Sequence, residues 1–334
     1  MAKIAILESQ VSKLAELVSA EIQRDTEKSV AAMSGLLASL DKPIKRLIDQ
    51  SNISAQVLQN SKHLELLRWL SPVPFSSHHK RHSGSRIPGS GGWLLNHPQY
   101  LTWRNTSSSS VLLLHGILGC GKTSLTSAVV DSFLQESSGQ APSAPIAYFY
   151  CAKSQAEAER TDPDEIMRSI LRQLTINHGS EPTVHDRILR EYERREAMAK
   201  TDGFDMPKLQ VHECVRLILD TTGANPATIV VDAVDEIHAS CRHELLSALT
   251  QITKESASVV KVFVTSRDDS NVYALLPNAL TVRIQSQNNR EDMELFVRHE
   301  VSLAIQHCRM LNGSVSDDLR ENLTQRLIAG AGEM

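Results

Sequence analysis

Eight consecutive residues of this chain have the types and spacing to hold a phosphate: Gly116-Ile117-Leu118-Gly119-Cys120-Gly121-Lys122-Thr123. Two glycines with four residues between them, followed by Lys and Thr, form the phosphate-loop pattern. A loop free of Cβ clashes lets backbone N–H groups wrap a β-phosphate, and the helix that follows points the positive end of its dipole at the anion. Lys122 can reach the β- and γ-oxygens, and the Thr123 hydroxyl can ligate Mg²⁺. Gly116, Gly119, Cys120, Gly121 and Ser124 complete the expected cradle, with Cys120 as a small apolar filler at a variable position. The competing reading is a glycine-rich strand-to-helix turn with no ligand.

Two further groups of residues bear on the same chemistry. Ile229-Val230-Val231-Asp232 is an apolar run ending in a carboxylate, as a Mg²⁺-bearing strand requires, so Asp232 is expected to hold the cation's water shell. Asp235 and Glu236 follow just past the strand end. Either could orient an attacking water, or both could be acidic caps of the next helix. Val262-Phe263-Val264-Thr265-Ser266-Arg267 is a third apolar run, closing on an arginine. Where a strand is inserted between the loop strand and the Asp232 strand, its end sits beside the γ-phosphate, and a guanidinium there can sense or stabilise charge. Arg267 as a surface residue at a strand end is the alternative.

These residues need a parallel sheet with helices packed on it, and the hydrophobic pattern supplies one. Short apolar runs at 111–115, 146–151, 228–232, 259–265 and 280–285 alternate with helical stretches at 122–135, 163–177, 184–198, 208–221, 240–252, 290–308 and 316–329. Residues 1–70 read as helical. Ile4, Leu7, Val11, Leu14 and Val18 step by three and four like a coiled-coil seam, and the spacing resumes at Met33, Leu37, Leu40, Ile44 and Leu47. A helical bundle packing on itself and an oligomerising or signalling module both fit this pattern. Residues 71–104, with Pro72, Pro74, Gly84, Gly89, Gly91 and Gly92, read as a linker with local turns. In it His78, His79 and His82 lack Cys or acidic neighbours in sequence and read as a solvated loop rather than metal ligands.

The chain has 334 residues, enough for two or three units, with 41% hydrophobic and 22% charged residues, so neither wholesale disorder nor a fibrous protein is expected. A formal charge of -4 is too balanced for a nucleic-acid binder that works by phosphate neutralisation. No apolar run reaches the roughly 20 residues of a membrane span, and the N-terminus meets charge too soon for a signal peptide. Five scattered cysteines without Cys-x-x-Cys spacing argue against a disulfide framework or a zinc site, so a reducing setting, cytoplasmic or nuclear, is expected, and of the two the cytoplasmic reading is preferred. No guanine-recognition motif and no protein-kinase signature occurs.

Taken together, the loop at 116–123, Asp-x-x-Asp-Glu at 232–236 and Thr-Ser-Arg at 265–267 resemble the NACHT nucleoside triphosphatases within the STAND class of signalling switches. Trp69-Leu70-Ser71-Pro72, Gly92-Trp93-Leu94-Leu95 and Trp103 look like the lead-in of fungal NOD-like receptors with a nephrocystin-3-like N-terminal module, and Asn289-Arg290-Glu291-Asp292 through Val301 looks like the segment after the last sheet strand. The resemblance implies a P-loop NTPase of three α/β/α layers around a mainly parallel five-stranded sheet at 111–334. A lead-in at 71–110 and a helical N-terminal region at 1–70 precede it. It also implies an ATP/ADP switch: Lys122 and Thr123 bind phosphate and Mg²⁺, Asp232 holds Mg²⁺, Asp235 or Glu236 supports slow hydrolysis, and Arg267 acts as sensor. Self-association on nucleotide exchange and a downstream signalling protein reached through residues 1–70 are further expectations. Family members continue into a winged-helix region and sensor repeats, which makes this sequence C-terminally incomplete by comparison. A dedicated ATPase or small-molecule kinase, and a scaffold with a vestigial nucleotide fold, remain the alternatives.

Overall fold

The computed structural model describes residues 13, 19–26, 28, 30, 33–35, 61–137, 144–177, 183–223, 225–268, 271–285, 287–310 and 314–331. The chain divides into two units, Met1–Leu64 and Glu65–Met334. In the first, residues 19–26 are helical and exposed, and the Thr26 hydroxyl donates to the Ile22 carbonyl at 2.7 Å. Ile22 and Met33 face outward. The expected seam through Ile4, Leu7, Val11, Leu14 and Val18, and its continuation at Leu37, Leu40, Ile44 and Leu47, lies outside the described residues.

The second unit is built on five strands: β1 Ser110–His115, β2 Ile146–Tyr150, β5 Ala227–Asp232, β6 Val260–Ser266 and β7 Leu280–Arg283. Two-residue strands β3 Ile176–Asn177 and β4 Thr183–Val184 form a separate antiparallel pair. The sheet order is β2-β5-β6-β1-β7, and every pairing in it is parallel. Such strands are covered on both faces, so their side chains alternate between two cores rather than between core and water. Leu112, Leu114, Tyr148, Tyr150, Val230, Phe263 and Val282 point into one core, with Leu125 and Val129 of the helix Lys122–Ser137. Leu113, Ala147, Phe149, Ile229, Val231, Val262 and Val264 point into the other. That second core is closed by Ile166 and Ile170 of the helix Pro163–Thr175, Ile218 of Val211–Thr222 and Leu245 and Leu249 of Ala239–Glu255. The result is the three-layer α/β/α arrangement. The inserted strand β6 lies between β1 and β5, so the tips of all three meet at the carboxyl edge of the sheet.

The linker expected at 71–104 is instead three helices, Phe75–Ser85, Gly92–Leu95 and Pro98–Asn105. Leu94, Tyr100 and Trp103 are fully buried in the core beside Leu125 and Val129. Burying one large apolar side chain contributes about 1.5–3 kcal/mol, against about 1 kcal/mol lost for a glycine in a helix, so tertiary burial outweighs the glycine-rich composition. The reading of His78, His79 and His82 as a solvated loop is overturned for the same reason. They lie on the first of these helices, with His78 and His79 buried. Just upstream, residues 61–70 are helical, and Leu66, Trp69 and Leu70 join the second core.

Candidate functional site

The phosphate-loop residues form the turn from β1 into the helix Lys122–Ser137. Gly119 and Gly121 have φ of 81° and 90°, the left-handed region that a Cβ disfavours, and Gly116 is packed so closely that a Cβ would meet Cys120 Sγ at 2.9 Å. The loop's shape therefore depends on its glycines. The first intrahelical bond runs from Leu125 N to Gly121 O at 3.0 Å, so the amides of Lys122, Thr123 and Ser124 have no acceptor within the helix. The Lys122 ammonium lies within the loop, donating to the carbonyls of Gly116 and Ile117 at 2.7 Å each and standing 3.6 Å from Cys120 Sγ. Free amides and a positioned ammonium make a cradle that suits an anion. Asn289, at the start of the helix Arg290–Gln306, donates to the Cys120 carbonyl at 3.0 Å and ties the loop to the chain beyond β7.

Asp232, at the tip of β5, is 2% exposed and takes three hydroxyl donors. Thr123 donates to Oδ2 at 2.7 Å, and Thr126 and Thr265 each donate to Oδ1 at 2.7 Å. The Thr123 hydroxyl keeps its oxygen lone pairs after giving its hydrogen to Asp232, and Oδ2 carries one hydrogen bond where Oδ1 carries two. Two adjacent hard oxygen donors with spare lone pairs fit Mg²⁺, which binds through few protein oxygens plus phosphates and waters. Among the described residues no group of three or more His, Cys, Asp or Glu could hold a metal by itself. A cation here would thus rest on Thr123, Asp232 and the ligand together.

Just past Asp232 the chain turns sharply through Ala233, whose φ of 55° is rare for a residue with a Cβ. Its amide donates to the Thr265 hydroxyl at 2.8 Å. That turn brings Asp235 and Glu236 to the end of β6, where Arg267 holds both: Nε stands 2.8 Å from Asp235 Oδ2 and Nη2 2.5 Å from Glu236 Oε1. The Arg267 amide also donates to Asp235 at 3.2 Å. Burial pushes the Asp235 carboxyl above its usual range, and the neighbouring amides and Arg267 only partly offset it. Beside this group His115 Nδ1 pairs with Asp268 at 2.7 Å, and Arg283 pairs with the same carboxylate at 2.9 Å.

Residues 89–267, more than half of the chain, match the sequence model of the family described as Nephrocystin 3, N-terminal. The chain belongs to that family. The match takes in the loop, the Asp232 strand and Arg267, and with the relative that follows it marks the second unit as a NACHT-like P-loop module. The vegetative incompatibility protein HET-E-1 of Podospora anserina is 22% identical over 238 residues, which are 66% of this chain; the chain spans 16% of that relative's length. Among solved structures, the Aeropyrum pernix ORC1 protein in complex with DNA is similar with a TM-score of 0.39 and 14% identity, over 74% of this chain and 62% of that one. AMPPCP-bound DnaA from Aquifex aeolicus is similar with a TM-score of 0.34 and 12% identity, over 75% and 63%.

In this nephrocystin-3 N-terminal module the residues singled out in sequence fall into two groups at one sheet edge. Gly116, Gly119, Cys120, Gly121, Lys122, Thr123 and Ser124 form the loop, with Asp232 bonded to it through Thr123. Asp235, Glu236 and Arg267 form a separate ionic cluster. Thr126 and Thr265 were not among the expected site residues. Thr126 sits three residues after Thr123, and Thr265 two before Arg267, so register with the known motifs was the available signal.

Proposed function

We propose that this module is an ATP/ADP-binding signalling switch whose slow Mg²⁺-dependent ATP hydrolysis controls self-association in the cytoplasm, passing the signal through residues 1–70 to a downstream protein. The observation that carries this reading is the 2.7 Å bond between Thr123 of the loop and Asp232 of the neighbouring strand, beside an ammonium poised in the loop. Lys122 exchanges its two loop carbonyls for phosphate oxygens, and the amides at the helix start bind the same anion. Asp232, immobilised by its hydroxyl partners, would hold the cation together with Thr123. A bound Mg²⁺ supplies positive charge against the β- and γ-oxygens.

The second cluster supports slow turnover. The two acids that could orient a water are both paired with Arg267, which holds their carboxylates against a guanidinium rather than a water. Isothermal titration with Mg-ATP and Mg-ADP tests the reading. Wild-type protein is expected to bind both, and Lys122→Ala to weaken binding by about 10- to 100-fold, the loss of a charge-assisted contact. Binding that is absent, or equal in the two proteins, overturns it. Turnover above about 1 per second favours a dedicated enzyme instead.

A further inference from the structure

The helix Phe75–Ser85 is clasped to the phosphate-loop helix through one carboxylate. Asp131 accepts from Arg86 Nη2 at 2.7 Å, Ser83 Oγ at 2.8 Å and His79 Nε2 at 2.9 Å. A carboxylate only accepts, so His79 Nε2 carries a proton. Burial keeps the ring neutral against the pull of Asp131, so Nδ1 accepts from the Tyr150 hydroxyl at 2.9 Å. Tyr150 is thereby fixed at the end of β2, 2% exposed, and is the register partner of Asp232 on β5. The two side chains stand next to each other on one face of the sheet.

His82 lies one turn after His79, its ring 4.6 Å from that of Tyr150 at 30°. Its Nε2 is buried and has no hydrogen-bond partner among the described residues. Burial disfavours the charged ring, and the largest opposing influence is the Asp232 carboxylate. Buried polar atoms are rarely left unmatched, and an orphan nitrogen on a ring packed against Tyr150, the strand neighbour of Asp232, marks a place for a polar ligand atom. Mg²⁺ takes oxygen donors and keeps most of its waters, and such a water is a strong hydrogen-bond donor. A bare imidazole nitrogen is its natural acceptor.

We infer that His82 belongs to the cation site, accepting on Nε2 a hydrogen bond from a water of the divalent ion held by Thr123 and Asp232. The inference deepens the reading above and rests on it. His82 acts as a positioning residue for the ion's hydration shell and makes the lead-in helix part of the nucleotide site.

The test is the ratio of ADP affinities with Mg²⁺ and with EDTA, by isothermal titration, together with melting temperature. His82→Phe keeps a ring against Tyr150 but removes the nitrogen. It is expected to lower the Mg²⁺-dependent gain about tenfold while leaving metal-free affinity within about twofold. His82→Leu carries the same expectation should the Phe variant not fold, and His82→Gln, which retains an acceptor, recovers part of the gain. An unchanged ratio in the apolar variants, or both affinities falling together with the melting temperature, overturns the assignment. Failure of the wild-type protein to bind ADP, or binding that ignores Lys122→Ala, overturns the nucleotide-switch reading instead and removes the basis of this one.

Discussion

Asp232 has three hydroxyls at hydrogen-bond distance, of which Thr126 also reaches the Lys122 carbonyl at 3.0 Å, and is almost wholly buried, which makes its hydroxyl partners as consequential as the acid itself. The Thr265 hydroxyl has one hydrogen. The Ala233 amide can only donate and the Asp232 carboxylate can only accept, so Thr265 donates to Asp232 and accepts from Ala233. Thr265→Val removes both bonds at constant shape and leaves two buried groups short of partners, a loss of about 1–3 kcal/mol measurable by urea denaturation. Thr265→Ser is expected to recover most of it; equal stability of the Val and wild-type proteins would falsify this account. Gly121→Ala places a Cβ at a φ of 90°, and a destabilisation of about 1–2 kcal/mol is expected by the same method. Lys122, Thr123 and Asp232 were legible in sequence because two glycines, a Lys-Thr pair and an apolar strand ending in Asp form patterns with a mechanism. Thr126 and Thr265 were not, since a threonine in a helix or at a strand end is ordinary until a carboxylate lies across from it.

At the scale of elements, the strands and long helices followed from hydrophobic spacing, whereas the lead-in helices did not. Their composition favours turns, and only the burial of Leu94, Tyr100 and Trp103 against the sheet makes them helical. The clasp on Asp131 gives this docking a measurable handle. Asp131→Ala leaves Arg86, Ser83 and His79 facing a missing acceptor and is expected to cost about 2–4 kcal/mol, with faster amide exchange over residues 75–86. The same helix sets a pH dependence. Burial, chiefly, lowers the pKa values of His78, His79 and His82 from 6.5, so in the unfolded chain these rings take up protons at higher pH than in the folded protein. Their contribution to stability is full above pH 6.5 and is lost as pH falls through the lower folded values. The melting temperature is expected to drop between pH 7 and pH 5.5, and less steeply in His82→Phe. A flat profile over that interval would count against the buried, neutral rings.

For the whole molecule, the proposed switch predicts that the mass of the full chain in light scattering rises with Mg-ATP and not with Mg-ADP, and that Lys122→Ala abolishes the rise. A mass independent of nucleotide would separate binding from assembly and leave the module without its proposed output. No described helix is long and apolar enough to cross a membrane. By itself, the amino-acid order determined the local periods: a parallel α/β sheet, a glycine loop opening a helix, and a carboxylate at the end of an apolar strand. Those are properties of neighbours a few residues apart, and backbone geometry alone limits what such neighbours can form. Tertiary structure alone decided that β6 carries Thr265 to Asp232, that Arg267 closes on Asp235 and Glu236, and that a histidine helix far upstream packs on Tyr150, the strand neighbour of Asp232. These contacts join segments far apart in the chain, and only the packing of three layers on one sheet edge brings them together.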